Sequence, residues 1–152
     1  MKHTELLAPA GDYNSFISAI NAGADAVYLA GKQFGARAFA NNFEEEELLQ
    51  ALDYAHLHDK KIYLTLNTLI KESEFSTVAE YLIPYYNNGL DGIIIQDIGL
   101  IPFLIENFPS LELHASTQMT VNNYRSAKWL KEQGLCRIVP SRELSLTELQ
   151  EI

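Results

Sequence analysis

The residues of this chain that could do chemistry fall in short, separated segments: Asn67, Gln96-Asp97, His114-Ala115-Ser116-Thr117, Arg142-Glu143 and a lone Arg37. His114 titrates near neutral pH in its unperturbed form, which suits a general acid or base; a plain hydrogen-bonded histidine is the alternative. Asp97 and Glu143 add carboxylates, and with His114 they are the catalytic candidates. Asp97 precedes a helix signal, so it could equally cap that helix. Arg142 could grip a ligand carboxylate or phosphate bidentately while Glu143 orients it, or the two could form a loop ion pair. Arg37, Asn67, Gln96, Ser116, Thr117 and Arg142 are the substrate-binding candidates. Arg37, among small residues, either reaches a ligand or sits on the surface.

Other chemistries lack their residue patterns. Alternation along a strand puts Ser116, not Thr117, on the same side as His114, but no orienting acid stands beside that pair. There is no nucleophile elbow, no His-Glu-x-x-His metal helix and no Cys/His pairing. The single cysteine, Cys136, excludes an internal disulfide and cannot build a zinc or iron–sulfur site without ligands from elsewhere, so no metal is expected here. Cys136 opens a strand signal and reads as a small core residue. His56 and His58 read as structural or exposed.

Short apolar runs alternate with amphipathic ones, as a parallel α/β sheet requires when each crossover is a helix. Strands are expected at residues 5–8, 26–30, 61–66, 92–96, 111–115 and 136–140. Runs such as Ile93-Ile94-Ile95 and Ile62-Tyr63-Leu64 lack polar alternation, so these strands should be buried on both faces. Helices are expected at residues 13–22, 43–58, 74–88, 100–107, 122–133 and from 146 onward. Asp12 should cap the first; Asn42 with Glu45 should cap the second, and Ser145 with Glu148 the last. Gly23, Gly89 and Gly134 should stop helices. The segments Gly23-Ala24-Asp25-Ala26-Val27 and Gly89-Leu90-Asp91-Gly92-Ile93 repeat one pattern: helix end, glycine, aspartate, strand. The chemistry-bearing residues then lie at or just past the C-terminal ends of strands, where barrels of this class form their sites.

Six βα units do not close an eightfold barrel, which needs ~250 residues. The expected fold is therefore an α/β, incomplete (β/α)8 TIM-like barrel with about six parallel βα units. Residues 1–152 are expected to be the N-terminal part of that domain, with the C-terminal remainder missing. An open doubly wound sheet is the rival, but Ala8-Pro9-Ala10-Gly11-Asp12 lacks the glycine spacing of its phosphate turn.

Glu5-Leu6-Leu7-Ala8-Pro9-Ala10-Gly11, Asp25-Ala26-Val27-Tyr28-Leu29-Ala30-Gly31 and Phe34-Gly35-Ala36-Arg37-Ala38-Phe39 together resemble the opening of the collagenase-like peptidase family U-32. Leu66-Asn67-Thr68, Gln96-Asp97-Ile98-Gly99, Leu113-His114-Ala115-Ser116-Thr117-Gln118-Met119 and Val139-Pro140-Ser141-Arg142-Glu143-Leu144-Ser145 resemble its successive strand-end motifs. The resemblance implies a peptidase, inactive as this stretch alone, acting on peptides. It also implies an alternative: oxygen-independent hydroxylation of transfer RNA, ribosomal RNA or ubiquinone. Several members hold an iron–sulfur cluster in a cysteine-bearing segment that follows the barrel; none is expected within this stretch.

The charge qualifies the RNA alternative. With 20 acidic and 11 basic residues the net charge is −9, which repels a phosphate backbone or an anionic membrane. Part of the excess, Glu44 to Glu47, suits the positive end of a helix. No apolar run approaches the ~20 residues of a spanning helix, and no leader is apparent, so a cytoplasmic location is expected. Exposed edges of an unclosed sheet would favour self-association, and a nonenzymatic assembly module is the third reading.

Overall fold

In the computed structural model, residues 4–36 and 41–152 are described; Arg37 lies outside them. Strands β1 (Leu7–Ala10), β2 (Ala26–Leu29), β3 (Lys61–Leu66), β4 (Gly92–Ile95), β5 (Glu112–Ala115) and β6 (Arg137–Ile138) form one sheet in sequence order. Every neighbouring pair is parallel. Helices α1 (Tyr13–Asn21), α2 (Glu45–Leu57), α3 (Phe75–Asn87), α4 (Leu100–Asn107), α5 (Tyr124–Glu132) and α6 (Leu146–Leu149) alternate with them.

Because side chains alternate along a strand, each strand divides its residues between two faces. Val27, Leu29, Ile62, Leu64, Leu66, Ile93, Ile95, Leu113 and Ala115 pack outward against the apolar stripes of the helices, such as Phe16, Leu48, Leu52, Val78, Leu82, Leu100 and Leu104. The opposite parity forms a smaller inner cluster of Ala26, Tyr63 and Ile94, with Leu7 and Tyr28 against it. Burial on both faces is the reason the strands carry near-continuous apolar runs.

The sheet is curled. Glu5 stands just before β1 and Arg137 opens β6, at opposite edges of the strand order. Yet Glu5 Oε1 lies 2.6 Å from Arg137 Nη1, and Tyr63 from the middle of the sheet donates to Glu5 Oε2 at 3.0 Å. A flat sheet would hold β1 and β6 five strand spacings, roughly 24 Å, apart. The six strands therefore make a half-barrel whose inner face is lined by β1-to-β6 side chains of one parity.

The repeated glycine–aspartate pattern has a common structural role. Gly23 and Gly89 take positive φ (95° and 82°) to end α1 and α3. The aspartate that follows each bonds back to the preceding strand: Asp25 Oδ2 accepts Leu6 N–H at 2.9 Å, and Asp91 Oδ2 accepts Ile62 N–H at 2.8 Å. Each aspartate thus ties the start of its own strand to the start of its neighbour.

Several expected boundaries need correction. The first strand begins two residues later than expected, at Leu7. Leu6 N–H is bound by the Asp25 carboxylate, and the ladder to β2 starts at Leu7 opposite Ala26. Pro9 is tolerated in β1 because that strand is an edge. Helix α2 is capped at Glu44, whose N–H is accepted by Glu47 Oε2 at 3.1 Å, not at Asn42. It is stopped by Asp59 at φ 55° where no glycine stands. Asp12 does cap α1, with its Oδ1 accepting Ser15 N–H at 2.7 Å, and Ser145 with Glu148 forms the capping box of α6.

Candidate functional site

The C-terminal ends of the strands carry most of the expected site residues, and the loops there are held by those same side chains. Asn67, just past β3, accepts Ala36 N–H at 2.9 Å, and Thr68 Oγ1 donates to Phe34 O at 3.1 Å, so the two residues hold Phe34 to Ala36 of the segment after β2. Asp97, past β4, accepts two backbone amides, Ile70 N–H at 2.9 Å and Gly99 N–H at 2.7 Å. Its carboxylate therefore clamps the loop after β3 and shapes the entry to α4. Ser116 is buried and caps a single 3-10 turn, Thr117–Met119, by accepting Gln118 N–H at 3.2 Å. Thr117 Oγ1 donates to Pro140 O at 3.1 Å, joining the loops after β5 and β6. Gln96 is half-buried beside Asp97, and Arg142 and Glu143 are exposed on the turn after β6.

His114 belongs to a different group. It is the third residue of β5 and points into the half-barrel, where its ring meets Tyr63 edge-on at a centroid distance of 4.4 Å and an interplanar angle of 76°. It is 0% exposed. Its Nε2 lies 3.4 Å from Glu112 Oε2, but neither ring nitrogen makes a hydrogen bond among the described residues. Burial, reinforced by the Arg137 charge, pushes the imidazole pKa down to about 4, so the ring is neutral at pH 7.

Around it stands a set of charges absent from the expected site. Glu112 Oε1 receives Lys61 Nζ at 2.6 Å, and the Arg137 guanidinium lies 5.0 Å from the Tyr63 ring centroid while bonding Glu5. Burial alone would raise the Glu5 and Glu112 carboxyls. Hydrogen bonds from Arg137 and Tyr63 to Glu5, and from Lys61 to Glu112, outweigh it and hold both below the usual carboxylate range. Tyr63 is pushed up by burial and by Glu5. Gly92 makes the room: a Cβ there would stand 2.6 Å from Glu112 O and 3.1 Å from Tyr63 Cδ1.

Cys136 corrects two expectations. It is exposed rather than core, because β6 is a two-residue edge strand and Cys136 precedes it. It is also paired in space with a histidine: one ligand atom from each of Glu112, His114 and Cys136 lies within 4.8 Å of the others. The Cys136 thiol donates to Leu113 O at 3.5 Å, and burial together with the Glu112 charge raises its pKa. One signal could have flagged this group. Lys61, Tyr63, Glu112 and His114 are polar residues at alternate positions inside apolar strands, a parity that places all four on one face.

Residues 11–152 match the model of peptidase family U32. The chain belongs to this family. It is 35% identical to tRNA hydroxylation protein P1 of Bacillus subtilis, over 99% of this chain and 36% of that one. It is 38% identical to the 23S rRNA 5-hydroxycytidine C2501 synthase of Escherichia coli, over 97% and 22%. To an uncharacterized protease of Methanocaldococcus jannaschii it is 39% identical, over 100% and 37%. The chain thus spans between about a fifth and two fifths of these relatives. The U32 peptidase Mk0906 shares its fold with a TM-score of 0.72 at 14% identity, over 91% of this chain and 58% of that one. The six-stranded curled sheet is accordingly a TIM-like half-barrel of the U32 type.

Proposed function

We propose that this chain supplies barrel framework and part of the substrate mouth to a protein that hydroxylates an RNA base without molecular oxygen. The observation that carries the reading is the 35–38% identity, along nearly the whole chain, to relatives named for tRNA hydroxylation and rRNA 5-hydroxycytidine synthesis. In this reading Arg142, Glu143 and Gln96 contact the base, while Asn67, Asp97, Ser116 and Thr117 hold the loops that present it. His114, expected as a catalytic acid or base, serves the interior instead. The net charge of −9 repels a phosphate backbone, so in this reading the grip on RNA phosphates lies in other parts of the protein. A cluster held by cysteines does not fit the described residues either, since Cys136 is the chain's single cysteine. Such a protein works in the cytoplasm, where its RNA is; among the described residues no helix is long and apolar enough to cross a membrane.

Nucleoside mass spectrometry on RNA from cells lacking the whole protein tests this. A hydroxylated pyrimidine should disappear and return when the gene is restored. An unchanged nucleoside profile would defeat the reading.

The peptidase reading stands second, favoured by the proximity of Cys136, His114 and Glu112, the residue types of a cysteine nucleophile set. Against it, both thiol and imidazole are driven to their neutral forms, whereas such a pair works as thiolate and imidazolium. Peptide hydrolysis by the whole protein that vanishes in Cys136→Ala would restore it. We further propose that the edges β1 and β6 pair with a second copy when nothing else covers them. Light scattering of this chain should then show mass rising with concentration, and a monomer throughout would contradict it.

A further inference from the structure

Glu112, His114 and Cys136 bring a carboxylate oxygen, an imidazole nitrogen and a thiol sulfur within 4.8 Å of one another, Glu112 opening β5, His114 two residues along it and Cys136 just before β6. Two observations beyond their proximity point to a ligand there. His114 is wholly buried, yet neither of its ring nitrogens has a hydrogen-bond partner among the described residues, an uncommon condition for a buried polar group. The Glu112 carboxylate is divided in function: Oε1 is held by Lys61 at 2.6 Å, while Oε2 faces the His114 ring at 3.4 Å. One strand and the approach to the next set this geometry, because His114 and Glu112 share a face of β5 and Cys136 N–H, just before β6, bonds Leu113 O beside them.

We propose that Glu112, His114 and Cys136 bind a divalent transition metal of the zinc class, one oxygen, one nitrogen and one sulfur ligand with water as the fourth. Zinc takes such mixed ligand sets at about 2.0–2.3 Å, which puts tetrahedral ligands roughly 3.3–3.8 Å apart. From separations of up to 4.8 Å the three atoms need to close by about 1–1.5 Å to meet this, within the reach of the Glu112 and exposed Cys136 side chains. A thiolate and a carboxylate balance the two charges of the ion. Lys61 then acts as an outer partner that orients Glu112 and lowers its demand for a proton. Arg137, Lys61 and Glu5 are the other charges facing the site; Glu5 neutralises Arg137 at 2.6 Å, so the net field there does not exclude a cation. This proposal does not depend on which reaction the substrate mouth performs.

Cobalt(II), a spectroscopic stand-in for zinc, is titrated into this metal-stripped chain, whose single cysteine is Cys136, wild type against Cys136→Ser and His114→Gln. A thiolate-to-cobalt charge-transfer band is expected in the wild type, competed away by zinc. It should be absent in Cys136→Ser and weakened at least about tenfold in affinity in His114→Gln, since even outer-shell partners are worth 10–100-fold. Because Cys136 is exposed, Cys136→Ser tests the site even if His114→Gln folds poorly. A difference spectrum without the band, or one identical in wild type and Cys136→Ser, would overturn the proposal.

Discussion

At the N-terminal ends of the strands, charged side chains meet each other across the barrel: Glu5 with Arg137, Glu112 with Lys61, and Tyr63 between them. At the C-terminal ends, Asn67, Asp97, Ser116 and Thr117 direct their polar atoms to loop backbone instead. Floor contacts join strands far apart in sequence, 132 residues in the case of Glu5 and Arg137, and so fix the curl of the sheet. Mouth contacts fix loops, and Arg142 and Glu143 stand exposed beside them with Gln96 half-buried, the residues proposed to meet the substrate. Losses at the floor should therefore appear as lost stability, and losses at the tip of the mouth as lost activity.

The largest effect expected from the floor is an acid one. His114 binds a proton near pH 6.5 when unfolded but only near pH 4 when folded. As pH falls through that window the unfolded state gains the proton first, so stability is complete above about pH 6.5 and declines toward pH 4, by about 3 kcal/mol in total. Glu5 and Glu112, also lowered on folding, extend the loss to more acidic pH. Denaturant midpoints measured across that range should fall in wild type and stay nearly level between pH 6.5 and 4 in His114→Leu. A wild-type midpoint that does not change would remove His114 from the buried floor.

Gly92→Ala should cost about 2 kcal/mol, because the new Cβ meets Glu112 backbone, which cannot swing away, and the Tyr63 ring. An unaltered unfolding midpoint would show that β4 and β5 have more slack than this register permits. Arg137→Met should cost less, about 1 kcal/mol, since the ion pair is partly exposed and a methionine keeps much of the packing on Tyr63. Glu5→Gln in the same background should then add little, and additive losses would mean the two residues do not act as a pair.

How much of this was readable from the chain follows the same division. The continuous apolar run Gly92–Ile95 and the helix Leu100–Asn107 are local, and both stand where periodicity puts them. The caps Asp12 and Ser145 are likewise properties of four-residue windows. The floor was not legible, because the meeting of Glu5, Tyr63, Arg137, Glu112 and His114 depends on register between strands and on the curl of the whole sheet. Cys136 was misread for the same reason: a strand signal does not say whether the strand lies inside the sheet or at its edge. Among mouth residues the positions were legible, but what their side chains hold, such as the two amides on Asp97, was not.

The division between floor and mouth is tested most directly by two variants of the whole protein measured side by side for unfolding midpoint and for RNA hydroxylation. Arg142→Ala with Glu143→Ala, both exposed, should move stability by less than about 0.5 kcal/mol and abolish or sharply reduce the modified nucleoside. Arg137→Met should lower stability while modification persists at temperatures where the protein stays folded. Modification that survives the loss of Arg142 and Glu143, or that fails in a folded Arg137→Met protein, would contradict the account.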